Sequence, residues 1–121
     1  MMPRYVILEH DWPQRHWDFM LEKGSVLQTW KLADVPKPGV KIAAEKSFDH
    51  RLMYLDYEGP ISGGRGAVTR WDAGHHFLVT EEENRLVVQL EGEQLHGTVE
   101  LTNHLNEAWT CRFLSSESES K

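Results

Sequence analysis

The sequence predicts an all-β protein, folded as a single compact antiparallel β-barrel of about six to nine short strands with little helix. Short runs alternate between apolar and polar residues with the period of a strand, and Gly, Pro, Asn and Asp separate these runs at close intervals. No stretch shows the apolar spacing of an amphipathic helix. The chain has 121 residues, 40% of them hydrophobic, which is enough for one domain with a real core.

The first strands are predicted at residues 4–9, 15–22, 26–32 and 41–46. Pro13 favours a turn between the first two, and residues 23–25 form a tight turn that makes a hairpin of the second and third. If residues 47–61 are extended, His50 and Tyr54, four positions apart, share one face. The Gly-rich residues 62–66 could offer backbone N–H groups to an anion, or could simply form a flexible turn.

The second half completes the barrel. Residues 67–71 and 76–80 are predicted as two strands, with Asp72-Ala-Gly74 as the hairpin turn between them. Further strands are predicted at 85–90, 94–102 and 108–114. The domain is therefore expected to span residues 1–114, and the Ser- and Glu-rich residues 115–121 are predicted to form a disordered tail.

Composition bounds the cellular setting and the partners. Cys111 is the only cysteine, so no intrachain disulfide can form, and we expect a reducing, cytoplasmic environment and a monomer. No signal-peptide pattern and no apolar run near the roughly 20 residues of a membrane span are present. The net charge of −6 opposes phosphate binding, but the excess lies after residue 80, which leaves room for a local basic patch in the first two thirds.

His10, His16 and Asp18 are the candidate metal ligands. On a strand, His16 and Asp18 project from one face while Trp17 and Phe19 face a core, and a fold-back at Pro13 could bring His10 beside the pair. Two imidazoles and a carboxylate suit manganese, iron or zinc. His-x-Asp is common, however, and spacing alone favours a strand with a solvated polar face.

The order of several motifs is more specific than any one of them. Glu-His-x5-His-x-Asp at residues 9–18, Asp-His-x3-Tyr-x3-Glu-Gly at 49–59, Gly-Arg-Gly-Ala-Val-x2-Trp-Asp-x-Gly at 64–74, and Leu-x-Gly-x-Val at 95–99 followed by Trp109 occur in sequence. Together they resemble the 3′-phosphoesterase domain of bacterial DNA ligase D, which also occurs as a stand-alone protein. The resemblance covers roughly residues 4–114.

The resemblance implies a manganese-dependent enzyme, with Zn²⁺ or Co²⁺ as other possible metals. Its expected substrate is the nucleic-acid 3′ end of a primer strand in a duplex. During DNA repair a terminal ribonucleoside and the resulting 3′ phosphate are removed, which leaves a 3′ hydroxyl. By position, the implied metal ligands are His10, His16 and Asp18, and the implied phosphate contacts are His50 and Tyr54. Repair proteins are the expected partners, and no membrane is expected.

The sequence departs from the family at Met20, where the resemblance implies an arginine two residues after the aspartate. A thioether cannot make a bidentate contact to phosphate, so removal of a phosphate monoester is the activity most affected. Arg65, Arg15 and Arg51 could supply the missing charge, and Arg65 in the Gly-rich segment is the preferred candidate. By default all three are ordinary solvated side chains.

Two other functions fit the sequence. Met20 and the acidic composition are also consistent with a weak or inactive relative that binds nucleic-acid ends or a repair partner. A cupin-like metalloenzyme for a small molecule would likewise place histidines and an aspartate on barrel strands. A basic groove running from His10 to Arg65 would favour the nucleic-acid functions, whereas a closed apolar pocket around the metal would favour a small molecule. Trp12 is the tryptophan expected to lie exposed near the site, where it could stack on a base.

Overall fold

A computed structural model describes residues 2–104 and 108–115. Eight antiparallel strands form a closed barrel, and two very short strands and one helical turn cross its outer surface. The barrel strands are β1 (Arg4–His10), β2 (His16–Lys23), β3 (Val26–Leu32), β4 (Lys41–Lys46), β7 (Ala67–Glu82), β8 (Arg85–Gly92), β9 (His96–Asn103) and β10 (Ala108–Ser115). The outer segment contains β5 (His50–Arg51), a 3-10 helix (Leu52–Leu55) and β6 (Gly59–Pro60).

The strand order is β1-β2-β3-β4-β10-β9-β8-β7, and β7 pairs back to β1 to close the barrel. All of these pairings are antiparallel. The predicted all-β fold and antiparallel barrel are therefore confirmed, and the number of barrel strands lies within the expected range. Ser115 is the last residue of β10, and residues 116–121 of the predicted tail lie outside the described residues.

The predicted hairpin at Asp72-Ala-Gly74 is wrong, because β7 runs through it as one long strand. Its first half pairs with β1 and its second half with β8. The buried Asp72 carboxylate accepts hydrogen bonds from the hydroxyl of Tyr5 (2.6 Å) and the backbone amide of Gln94 (2.8 Å). These bonds hold Asp72 within the strand instead of in a turn. Gly74 lies directly against the backbone of Gly92, where no side chain would fit. These residues mark the place where β7 changes partner.

Residues 47–61 do not form one continuous strand. Within them, His50–Arg51 pairs with β3, Leu52–Leu55 is a 3-10 helix and Gly59–Pro60 pairs with β7. The helical turn buries Leu55 against the barrel. His50 and Tyr54 still come together, with ring centroids 5.7 Å apart, because one helical turn returns the chain to the same side.

Strands β1 and β2 bury side chains on both faces, and this explains where the site lies. One set of side chains fills the interior around Phe19 and Trp30, and Trp71 of β7 packs against it. Side chains of the opposite parity, including Leu8, Met20 and Val68, form a second cluster on the outer face, covered by Leu55. Residues 47–66 therefore act as an outer layer, and the polar ends of β1 and β2 face the space beneath it.

Within the described residues, no helix is long and apolar enough to cross a membrane.

Candidate metal centre and phosphate cavity

The β1–β2 hairpin brings the two candidate histidines together. His10 ends β1, His16 begins β2, and the register places them directly opposite each other, with ring centroids 4.9 Å apart. Asp18 is two residues further along β2 and therefore on the same face as His16. The outward-facing parity predicted for His16 and Asp18 is thus present, and the fold-back that adds His10 occurs as expected.

Asp18 lies between the two imidazoles. Its carboxylate oxygens are 3.2 Å from Nε2 of His16 and 3.7 Å from Nδ1 of His10, and one donor atom from each of the three residues lies within 4.8 Å of the others. The Asp18 residue is only 4% exposed. A buried carboxylate needs a compensating charge, and a cation shared with both imidazoles would provide it.

Hydrogen bonds fix the tautomer of both imidazoles in the form that a metal requires. Nε2 of His10 donates to the carbonyl oxygen of Arg65 (2.8 Å), and Nδ1 of His16 donates to the carbonyl oxygen of Gln14 (2.9 Å). The other nitrogen of each neutral ring, which faces Asp18, therefore carries the lone pair. Donation of the distal N–H to a carbonyl is the usual arrangement of metal-ligating histidines. The residues present thus fit a divalent metal.

The hydrogen bond with the Asp18 carboxylate raises the pKa of His16, against the opposing effect of burial. In the absence of a cation, the carboxylate therefore favours a proton on the nitrogen that would otherwise be a ligand. A metal and a proton compete for the same lone pair.

His50 lies in the same cavity and is held by its own loop. Its Nδ1–H points to the carbonyl oxygen of Phe48 and to Oγ1 of Thr29, each 3.0 Å away, while the Thr29 hydroxyl donates to the carbonyl oxygen of Leu27. This arrangement leaves Nε2 as the nitrogen that can exchange a proton with a substrate. Burial lowers the pKa of His50, so the ring is neutral at physiological pH until an anion approaches.

These groups line one cavity of about 380 Å³, large enough for a phosphate and part of a nucleotide. Its walls come from the β1–β2 loop, from strands β1 to β3 and from the outer layer. The predicted site residues that line it are His10, His16, Asp18, His50, Arg51, Tyr54 and Arg65, together with Met20 and the half-exposed Trp12. The cavity is partly open and lies on the outer face of the barrel, where apolar side chains such as Leu8, Met20 and Ile61 line it together with the charged ones.

The three predicted arginines differ in what they can contribute. The Arg15 guanidinium forms an ion pair with Glu9 and lies outside this cavity, along a neighbouring depression. The Arg65 guanidinium is bonded to the carbonyl and hydroxyl oxygens of Ser62, so it braces the Gly-rich segment. Arg51 lines the cavity and makes no ion pair within the described ranges. A phosphate-binding role stays a prediction for all three.

Lys31 is a cavity residue that sequence reasoning missed. It lies directly opposite Asp18 in the β2–β3 register and lines the main cavity and the neighbouring depression. No carboxylate of the described part of the chain pairs with its ammonium group. Burial lowers the pKa of His50, and the ammonium of Lys31 acts in the same direction, which shows that its field reaches the site. The signal was available, since Lys31 shares the outward parity of β3 with Thr29 and Leu27.

The Gly-rich segment is tied to the β1–β2 loop. Oδ1 of Asp11 accepts a hydrogen bond from the amide of Ala67 (2.9 Å), and Gly66, with φ +74°, packs so closely on Asp11 and Trp12 that a Cβ would overlap both. This contact holds Trp12 at the edge of the cavity. It also places the Arg65 carbonyl against His10.

The fold and the site together define a class: a small β-barrel protein in which two histidines and an aspartate cluster in a cavity that three basic side chains also line. The chain belongs to the DNA ligase D 3′-phosphoesterase domain family, whose model matches residues 8–103. This confirms the family inferred from the sequence motifs.

Curated relatives of the chain are much longer proteins. The "Multifunctional non-homologous end joining protein LigD" of Pseudomonas aeruginosa is 36% identical over 104 residues, which cover 78% of this chain and 12% of that protein. The protein of the same description from Mycobacterium bovis is 30% identical over 129 residues, which cover 97% of this chain and 17% of the relative. The Mycolicibacterium smegmatis relative is 27% identical over a match that covers 98% of this chain and 18% of the relative. The chain thus spans less than a fifth of each of these proteins.

Proposed function

We propose that this chain is a metal-dependent 3′-phosphoesterase that acts on nucleic-acid 3′ ends during DNA repair. It would remove a 3′-terminal ribonucleoside, which leaves a 3′ phosphate, and would remove a 3′ phosphate to leave a 3′ hydroxyl. The observation that carries the proposal is the placement of His10, His16 and Asp18 beside His50 in one cationic cavity. Membership of the phosphoesterase family supports a role in end processing, and other repair proteins are the expected partners.

His10, His16 and Asp18 would hold the metal. We propose Mn²⁺, with Zn²⁺ or Co²⁺ as other metals that the ligand set accepts. When bound, the cation supplies positive charge that polarises a phosphoryl oxygen. The protein prepares for it by fixing both imidazole tautomers through the carbonyl oxygens of Arg65 and Gln14.

The remaining cavity residues would bind the phosphate and handle protons. In the hydrolysis, water forms the new bond to phosphorus and gives up its proton to solvent, while the bond from phosphorus to the leaving oxygen breaks. The neutral His50 takes up a proton on Nε2 when the anionic substrate enters and donates it to that leaving oxygen. The Tyr54 hydroxyl is placed to donate to a non-bridging oxygen. Lys31 and Arg51 offset the charge of the phosphate, with Lys31 replacing part of the contribution lost at Met20.

Met20 supports a second candidate function, in which the chain binds 3′ ends without cleaving them. Its thioether occupies the cavity wall at the position where the sequence pattern implies an arginine. A site that keeps the cationic cavity but loses one anion contact could retain binding and lose turnover.

The test is a cleavage assay on a labelled primer-template that carries either one 3′-terminal ribonucleotide or a 3′ phosphate, with Mn²⁺ present or replaced by EDTA. We expect Mn²⁺-dependent trimming by the wild type and at least a hundredfold loss in His10→Ala and His50→Ala. His96→Ala, on the exposed surface of β9, is the matched control and should retain wild-type activity.

Metal binding is measured separately by titration calorimetry with Mn²⁺. Asp18→Asn should weaken Mn²⁺ binding at least tenfold, whereas His50→Ala should leave it unchanged. Binding of the duplex without trimming under any divalent metal would move the conclusion to end binding. Activity that survives in EDTA, or in His10→Ala, would contradict the proposed metal centre.

A further inference from the structure

Phe48 is the most exposed large hydrophobic side chain among the described residues, and it lies at the cavity. It is 75% exposed, and its ring lies flat on the imidazole of His50, with centroids 4.6 Å apart and an interplanar angle of 8°. One face of the phenyl ring is therefore covered by His50, and the other is open to solvent. An aromatic ring held flat and left open in this way is a ready-made stacking surface.

The surroundings of Phe48 fit a nucleobase better than an aliphatic ligand. Phe48 and His50 line the same cavity as Lys31 and Arg51, so the open ring lies beside the groups that would hold a phosphate. Trp12, 42% exposed, adds a second aromatic side chain to the wall of that cavity. A base next to a bound phosphate can stack on an aromatic side chain whatever its sequence, because every base has a π-face.

We propose that Phe48, backed by His50, is a stacking site for the nucleobase adjacent to the scissile phosphate, with Trp12 as a second aromatic contact. This inference rests on the proposed function, since it assigns part of the same substrate to the same cavity. It also gives an acidic protein a source of affinity that does not depend on phosphate charge.

A structural role for the Phe48 side chain is the competing explanation, because Phe48 also supports His50. The support divides into two parts: the backbone carbonyl of Phe48 accepts the Nδ1–H of His50, and the phenyl ring packs on the imidazole. Replacement of the side chain preserves the hydrogen bond. If Phe48 acts only by supporting His50, its replacement should lower the affinity for every substrate equally. If Phe48 stacks on a base, the affinity should fall only for substrates that carry that base.

The experiment measures equilibrium binding of a fluorescently labelled primer-template by anisotropy, in EDTA so that no cleavage occurs. Three duplexes are compared: one with a normal 3′-terminal ribonucleotide, one abasic at the terminal nucleotide and one abasic at the penultimate nucleotide. The proteins are wild type, Phe48→Ala, Phe48→Trp and the matched control Phe77→Ala, an exposed phenylalanine on β7 outside the cavity.

We expect Phe48→Ala to raise Kd for the normal duplex about tenfold, and Phe48→Trp to bind like wild type. The effect of Phe48→Ala should fall to less than about twofold on one of the abasic duplexes, which then identifies the stacked base. Phe77→Ala should bind all three duplexes as the wild type does.

An equal weakening on all three duplexes, or no weakening at all, would overturn the stacking site. Failure of the proposed function is distinguishable, because cleavage is measured in a separate Mn²⁺ reaction. Base-dependent binding without cleavage would support the stacking site and contradict the phosphoesterase activity. Cleavage without base-dependent binding would support the phosphoesterase activity and contradict the stacking site. A wild-type protein that binds no 3′ end overturns both.

Discussion

We expect Met20→Arg to destabilise the free protein and to raise its affinity for phosphate. Met20 is 1% exposed and packs in the outer apolar cluster with Leu8 and Val68, while it also contributes to the cavity wall. Full burial of a methionine side chain contributes about 1.5–3 kcal/mol. An arginine that directs its guanidinium into the cavity keeps its aliphatic stem buried, so we expect a net loss of about 2 kcal/mol.

In a chain of this length, that loss corresponds to a Tm about 6–10 °C lower. Phosphate should reverse it, because the new guanidinium gains a charge-assisted contact of about 1.5–3 kcal/mol. Saturation of the site at a hundred times Kd stabilises the native state by about 2.7 kcal/mol. The same contact should raise kcat/KM for a 3′ phosphate at least tenfold.

The assay is thermal unfolding of wild type, Met20→Arg and the volume-matched control Met20→Leu, each with and without inorganic phosphate, followed by monoesterase kinetics. Met20→Leu should stay near the wild type in both measurements. If Met20→Arg is as stable as the wild type without phosphate, residue 20 is not packed as described. If it is less stable and phosphate does not restore Tm, the guanidinium does not reach the cavity.

Three further predictions concern other residues. Lys31→Ala should lower kcat/KM at least tenfold without a change in Tm. The control Lys41→Ala, which replaces an exposed lysine on β4, should have no effect. Equal activities of the two variants would exclude Lys31 from phosphate binding. Tyr5→Phe removes the hydroxyl that donates to the buried carboxylate of Asp72 and should reduce unfolding free energy in urea by about 1.5–3 kcal/mol, which an unchanged midpoint would contradict. Burial raises the pKa of the Cys111 thiol, so iodoacetamide should label it only in denaturant, and rapid labelling of the native protein would show that β10 opens.

The sequence predicted those parts of the fold that depend on local periodicity. A short apolar run identified β1 and alternation identified β2, and the parity of His16 and Asp18 on β2 indicated that both face away from the core. The turn at Pro13 then predicted the pairing with His10. Register in a short hairpin is a local property, which is why this part of the site could be inferred.

The parts that failed depend on contacts between distant segments. A Trp-Asp-x-Gly sequence indicates a turn, and only the bonds from Tyr5 and Gln94 to Asp72 show that it lies within a strand. Residues 47–61 contain a helical turn because Leu55 is buried on a second, external apolar cluster. Lys31 is an exception, because the predicted hairpin of β2 and β3 already places it opposite Asp18.

The outer layer has an evolutionary consequence. The eight barrel strands close without β5, β6 or the short helix, so residues 47–66 could be replaced as a unit while the interior core stays intact. This cassette supplies His50, Tyr54 and Arg65, while the barrel keeps the three ligand residues. New specificities could therefore arise by exchange of one surface segment over an unchanged hairpin that carries His10, His16 and Asp18. Chimaeras that swap this segment between relatives should transfer substrate preference while the barrel still folds.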